Sequence, residues 1–381
     1  MRIDVVRAAA ALALMLLSSS VPAAAMDAYW TAPAYEKFPL KGPETALGLV
    51  IWNHGLDGTR SQYQFAPPLL LQGLAARGWD VIKLNRNPSW ENSWSNAGKR
   101  HVARNLEEVA AARQKGYRRV IVAGQSYGGA IALAVAGEAA DLWAVIAAAP
   151  GTGQSQRADG IITDRWSHAI AAQTYDQLRQ ATKTRLVAIF PKDDEFIGIP
   201  RGAEARAILA EKAAPFLLVD ETAPLNGHGA AYAAAFNPYA SCIAYFLDPA
   251  AEPASGEFRC RHDEVAAFDR TLRAAAVPDA PAGEARRWFG YFDTAGQEVA
   301  IAVRDGTTGT LVDYAWGKGV LAAYKPGLAT VSAERSGETL SFRLANGAVV
   351  ETTPAPDGGL RLTFTKDGQK SLTVSLVPVL Q

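Results

Sequence analysis

The sequence is poor in cysteine. Only Cys242 and Cys260 occur in 381 residues, and neither stands in a metal-binding spacing, which excludes a thiolate zinc site. It also lacks an excess of either charge. With 38 Lys and Arg against 38 Asp and Glu, nothing electrostatic favours nucleic acid or an anionic membrane surface as a partner. Beyond the first 25 residues no run of about 18 consecutive apolar residues occurs, so stable membrane insertion is not expected of the rest of the chain. No internal repeat is visible. What remains, 49% hydrophobic and 20% charged, is ordinary globular composition.

The first 25 residues read as a targeting segment. Arg2 and Arg7 form a positive start, residues 8–17 an apolar core too short to span a bilayer, and Ala23-Ala24-Ala25 the small residues a signal peptidase accepts. Residues 1–25 are therefore expected to be a signal peptide, and the protein to be exported to the periplasm or secreted. No cysteine near the cleavage site supports a lipid anchor. In an oxidising compartment Cys242 and Cys260 are expected to pair. Closing that short loop would contribute roughly 3 kcal/mol on the chain-entropy estimate.

From about residue 47 to 247, short apolar runs alternate with longer amphipathic stretches. Residues 47–52, 79–84, 120–123, 143–148, 186–190 and 216–219 lack polar alternation, as strands buried on both faces of a parallel sheet do. Residues 102–115, 127–140 and 203–213 are helical candidates between them. The alternation predicts a doubly wound, mainly parallel α/β sheet, with a domain over residues 26–273. Residues 274–285, rich in Ala and Pro, read as a linker. Beyond it the period becomes two. Val299, Ile301 and Val303 alternate with small residues, and similar patterns occupy 340–344, 360–364 and 372–376. Ser336-Gly337, Asn346-Gly347, Asp357-Gly358 and Asp367-Gly368 supply tight turns. Residues 286–381 are thus expected to form a small all-β barrel or sandwich of seven or eight strands.

Gly124-Gln125-Ser126-Tyr127-Gly128 is the single Gly-x-Ser-x-Gly in the chain. The motif alone is common by chance; here it lies between a predicted strand and a helix opening on Gly128, Gly129 and Ala130. That is the setting of a nucleophile elbow, a sharp turn with glycines where side chains would collide. A serine hydroxyl needs a base, and His228 in Asn226-Gly227-His228-Gly229 follows the run 216–219. An acid is needed to orient the imidazole, and Asp193, Asp194 and Glu195 follow the run 186–190. The order Ser, Asp, His is that of α/β-hydrolases. Among the other histidines, His54 is expected to shape a loop, and His101, His168 and His262 to be structural or solvated.

On these motifs, residues 47–247 resemble an α/β-hydrolase, nearest in outline to the dienelactone-hydrolase-like and related esterase groups. The frame Asp194-Glu195-Phe196-Ile197-Gly198-Ile199-Pro200 fits the resemblance better with Asp194 as the acid than with Asp193. Dienelactone hydrolases proper carry cysteine at the elbow, so with Ser126 there that substrate is not carried over. Asn53-His54-Gly55-Leu56-Asp57-Gly58 resembles the His-Gly loop of the fold, which implies an oxyanion hole from the Leu56 and Tyr127 N–H groups. The resemblance implies hydrolysis of a small or soluble ester through an acyl-enzyme on Ser126, Asp194 and His228, with no cofactor and no metal. Peptidase or acyl-transfer chemistry would use the same residues, and a binding protein without turnover could keep the fold.

Pro88-Ser89-Trp90-Glu91-Asn92-Ser93-Trp94 follows a predicted strand on the ligand side of the sheet, where the two tryptophans suit either a substrate wall or loop packing. Residues 288–380, with Trp288-Phe289-Gly290 and Tyr314-Ala315-Trp316-Gly317, resemble lipocalin-like β domains. That likeness implies polymer or lipid contact, a cover for the site, or structural support.

Overall fold

The computed structural model describes residues 28–56, 64–87, 94–152, 164–181, 183–223, 225–232, 236–249, 255–259, 264–267, 270–273, 286–292, 297–307, 309–317, 327–356, 359–369 and 371–378. The expected signal peptide, the linker 274–285, Asp57, Gly58, residues 88–93 with Trp90, Cys260 and His262 lie outside them.

The six apolar runs become strands of one sheet. In chain order the first part of the molecule is β1 (Tyr29–Pro33), β2 (Leu49–Asn53), α1 (Leu69–Ala76), β3 (Asp80–Arg86), α2 (Trp94–Gln114), β4 (Val120–Gln125), α3 (Tyr127–Glu138), β5 (Ala144–Ala148), α4 (Asp164–Gln180), β6 (Arg185–Ile189), α5 (Gly202–Ala210), β7 (Phe216–Val219), α6 (Asn237–Phe246) and β8 (Glu257–Phe258). The strands lie in the order β1-β3-β2-β4-β5-β6-β7-β8, all parallel except β1, which pairs antiparallel with β3. Every residue of β2, β4 and β5 is buried, which is why these strands show no polar alternation.

Two apolar layers cover the sheet. On one face Leu70, Leu71 and Leu74 of α1 pack with Ala240, Ile243 and Ala244 of α6 over Val50, Ile121, Ile146 and Val187. On the other, α2 to α5 bring Val109, Ile131, Leu133, Leu178 and Leu209 against Ile51, Val122, Val145 and Leu186. Helices on both faces make the sheet doubly wound. The chain runs from β2 to β3 on one side and then crosses to β4 on the other side of β2. The switch point therefore lies between the carboxyl ends of β2 and β4, where a crevice opens in sheets of this kind.

A short two-stranded ribbon, β9 (Glu264–Ala267) and β10 (Arg270–Arg273), follows. Then β11 (Arg286–Phe292), β12 (Gln297–Gly306), β13 (Gly309–Trp316), β14 (Gly327–Ser336), β15 (Thr339–Arg343), β16 (Val349–Pro354), β17 (Leu360–Thr365) and β18 (Leu372–Pro378) form a closed antiparallel barrel. Closure comes from β11 pairing with β18, Trp288 opposite Pro378. Alternating positions read from the sequence are in its core: Val299, Ile301, Leu340, Phe342, Leu344, Leu362, Val374 and Leu376 are buried together, with Val312 and Tyr314 beside them. Gly337, Gly347 and Gly368 turn the hairpins with positive φ, as the turn dipeptides require.

Five elements of the sheet and its covering helices carry no expectation from sequence: β1, α1, α4, α6 and β8. Among the described residues there is no free cysteine, and Cys242 lies in α6. No helix among them is long and apolar enough to cross a membrane.

Candidate active site

Ser126 occupies the turn from β4 to α3 with φ 55° and ψ −121°, a strained conformation for a residue with a side chain. Its neighbours hold it there. The Ser126 N–H donates to the Ala148 carbonyl at 2.9 Å, and the Ser126 carbonyl accepts from the Gly151 N–H at 3.1 Å. A Cβ on Gly128 would overlap the Asn53 and His54 carbonyls, and one on Gly124 would overlap the backbone of Gly128. Gly128→Ala should therefore unseat α3 from β2. A loss of about 3 kcal/mol or more in a denaturant titration is expected, with little activity left. Near-normal stability would mean that the backbone accommodates the methyl group.

The loops after β6 and β7 are zipped together beyond the ends of their strands. Lys192 donates its N–H to the Leu225 carbonyl and accepts from the Gly227 N–H, both at 2.8 Å. This brings Asp194 to His228, with Oδ1 2.9 Å from the imidazole Nδ1. The same Oδ1 accepts from the Phe196 and Ile197 N–H groups at 3.0 and 3.1 Å, an Asx-type turn that fixes the carboxylate. Burial acts to raise the Asp194 carboxyl. The hydrogen bond and charge of His228, the Arg201 guanidinium and the Phe196 amide outweigh it, so the carboxyl sits below its ordinary value and is ionised. A carboxylate there can only accept, so the imidazole Nδ1 carries the proton and Nε2 is left with its lone pair.

Asp193, the alternative acid, has φ 52° and an exposed side chain, 4.0 Å from Lys192 and turned away from this pairing. Two neighbours for which the sequence suggested no contact with the histidine complete a clamp on it. Glu195 Oε2 accepts from the His228 backbone N–H at 2.8 Å, and the half-exposed Phe196 ring lies 4.8 Å from the imidazole, centre to centre. Three consecutive residues, 194 to 196, thus each engage His228. On the other side Gln125 Nε2 donates to the His228 carbonyl at 3.3 Å, tying the histidine loop to the residue before Ser126.

The loop after β2 is held from behind. Arg86, buried at the end of β3, donates from Nη2 to the His54 carbonyl at 2.6 Å and to the Gly55 carbonyl at 3.2 Å. The Arg86 N–H reaches His54 Nε2 at 3.3 Å, so Nδ1 bears the proton and donates to the Gly55 carbonyl at 2.7 Å. Burial, with Arg86 beside it, pushes the His54 imidazole well below its ordinary value, and the ring is neutral. The Gly55 carbonyl and the Leu56 N–H belong to one planar peptide unit. Anchoring the carbonyl therefore fixes the direction of that N–H. Leu56 is half-buried, and Tyr127, the first residue of α3, is buried with its ring 5.5 Å from the Arg86 guanidinium. The Tyr127 N–H lies at the positive end of α3.

His101 is fully buried, its Nδ1 2.8 Å from the Tyr29 hydroxyl, which fits a structural role; His168 is exposed. Trp94 opens α2. Among the described residues no group of three or more His, Cys, Asp or Glu side chains could hold a metal ion.

A doubly wound sheet with a strained serine after its fourth strand and a buried Asp–His pair after its sixth and seventh has the α/β-hydrolase architecture. Residues 49–226 match the model of the Alpha/beta hydrolase family. The match supports hydrolase activity. No curated protein matches the chain. Among solved structures it is similar to the esterase Pf2001 of Pyrococcus furiosus, at 13% identity and a TM-score of 0.40, covering 54% of this chain and 84% of that one. It is also similar to Est1E from Butyrivibrio proteoclasticus, at 16% and 0.39, covering 57% and 92%. TT1662 from Thermus thermophilus stands at 18% and 0.38, covering 54% and 91%. Likeness at this level transfers no residue role and no substrate.

Proposed function

We propose that the protein is an exported serine hydrolase that cleaves a carboxylic ester, or a related acyl bond, through an acyl-enzyme on Ser126. The observation that carries this reading is the buried Asp194–His228 pair, 2.9 Å apart and tied through Gln125 to the strained turn that bears Ser126. His228, protonated on Nδ1, has Nε2 free to take the Ser126 proton as the hydroxyl attacks the carbonyl carbon. The imidazolium that forms is stabilised by Asp194. The developing alkoxide is met by the Leu56 and Tyr127 N–H groups, the first aimed by Arg86 and His54 through the Gly55 carbonyl. His228 then returns its proton to the leaving alcohol. In the second half it takes one from water, whose oxygen releases the acyl group and restores Ser126.

Export rests on residues 1–25, and a Cys242–Cys260 bridge would suit that compartment. The substrate is a small or soluble ester. The β barrel buries its own apolar interior, which supports a structural role for it over capture of a lipid chain.

The test is labelling of the mature protein with a fluorophosphonate, beside Ser126→Ala, followed by p-nitrophenyl esters of increasing acyl length. Labelling that disappears in Ser126→Ala, with turnover of the short esters, is the expected result. Folded protein that takes no label would remove the reading and favour a binding protein on this fold.

A further inference from the structure

The Asp194 carboxylate has a second partner besides His228, and this one is a cation. Arg201, just before α5, places Nη2 3.5 Å from Asp194 Oδ2, and both side chains are almost wholly buried, 1% and 4% exposed. The guanidinium also donates from Nη1 to the Pro150 carbonyl and lies 4.7 Å from the centre of the Phe190 ring. Pro150 precedes Gly151, whose N–H holds the Ser126 carbonyl. Arg201 therefore touches the acid directly and the serine turn at one remove. Removing a guanidinium from water this completely is unfavourable unless it is paired, and in α/β sheets a plain packing position is filled more cheaply by an aliphatic side chain.

Resting on the serine-hydrolase reading above, we propose that Arg201 is a positioning residue of that site. Its permanent charge is matched to the Oδ2 side of Asp194 while the Oδ1 side holds His228. The carboxylate is thus shared between a guanidinium that is charged throughout the working range and the imidazole of His228. Sharing weakens the pull of Asp194 on the imidazolium that forms during the reaction, and removing the guanidinium would leave the whole carboxylate charge to His228. The other ionisable groups around the set are Glu195, on the His228 amide; Glu221, whose carboxylate accepts from the Arg201 and Gly202 N–H groups; and Tyr175 of α4. Burial draws the guanidinium down to about 10, with Asp194 and then Glu221 opposing it, so Arg201 stays charged throughout the working range.

The pH dependence of the second-order rate of fluorophosphonate labelling, measured on the full chain, reads the protonation of His228 without a natural substrate. Arg201→Met should move the acid-side midpoint up by about one pH unit. Arg201→Lys should keep the wild-type midpoint even where its rate is lower. A purely structural role would lower the rate of both variants and leave the midpoint in place, and an unmoved midpoint in Arg201→Met overturns the proposal. If Arg201→Met does not fold, the double variant Asp194→Asn/Arg201→Met decides. Recovery of folded protein there is expected, because the stranded carboxylate is gone, and failure to recover overturns the charge pairing. Wild-type protein that takes no label tells against the Ser126 reading; the double variant still tests the pairing on its own.

Discussion

Asp194→Asn is expected to lower kcat/KM for a p-nitrophenyl ester by about 10⁴-fold, the scale seen when the acid of a Ser-His-Asp set becomes an amide. The neighbouring Asp193→Asn should change it less than about two-fold, on the scale of an exposed position away from the site. The contrast follows from the geometry. Asp194 Oδ1 receives His228 Nδ1 and two backbone N–H groups, while the Asp193 side chain is 70% exposed beside Lys192. An amide at 194 can turn its NH₂ toward Nδ1 and select the tautomer in which Nε2 carries the proton and cannot act as base. Asp194→Asn also strands the buried Arg201, so part of the damage will show in stability, on the order of 3 kcal/mol. Measuring the melting temperature of each variant beside its rate separates the two effects. Large loss in Asp193→Asn with little in Asp194→Asn would move the acid by one position and undo the pairing on which the functional reading rests.

Much of this was legible along the chain because it is written in short-range pattern. The runs at 120–123 and 143–148 are apolar throughout because β4 and β5 are covered on both faces. The elbow is legible because glycine must stand where another backbone comes too close, as at Gly128 against Asn53. The preference for Asp194 over Asp193 came from the frame that the resemblance to α/β-hydrolases implies, and Ile197 within that frame is buried. The elements missed have a physical reason too. β1 is an antiparallel edge strand with no fully buried residue, so it leaves no apolar run. Helix α4 buries Thr174 and Gln177 on the same face as Ile170 and Leu178, and polar residues there blur the 3.6-residue period. Arg86 and Arg201, and the bond from Glu195 to the histidine backbone, were missed because their work is done across the sequence: Arg86 meets a loop 32 residues earlier, and Glu195 an amide 33 residues later. No local period records such contacts. A buried charge at the end of a sheet strand, as Arg86 is at the end of β3, is the one signal that could have drawn attention to it.

The same buried arginine leads to the second large effect, on acid stability. Arg86 stands beside two neutral imidazoles. His101 is fully buried, and burial first, then Arg86 and Arg100, push it down to about 3; His54 is likewise held well below its ordinary 6.5. Both rings are ordinary histidines once the chain unfolds. Between about pH 6.5 and the lowered native values, the unfolded chain therefore binds more protons than the folded one, and stability falls as pH falls. Above 6.5 neither ring is protonated in either state and the contribution is flat. Each histidine adds a slope of roughly 1.4 kcal/mol per pH unit inside that window, as an upper figure, so the two together should remove a sizeable part of a typical folding free energy by pH 5. Asp194 cannot be the cause at that pH, since its stabilising charge is lost only below its ordinary value of 3.8. The expected result is a melting temperature that declines steadily from pH 7 to pH 5, with a shallower decline in His101→Gln, which loses the titrating ring. An equal slope in that variant would assign the acid sensitivity elsewhere. On the proposed reading the reaction itself depends on pH through its general base, so activity alone would confuse the two events. Melting curves, which need no turnover, isolate the effect of the buried imidazoles.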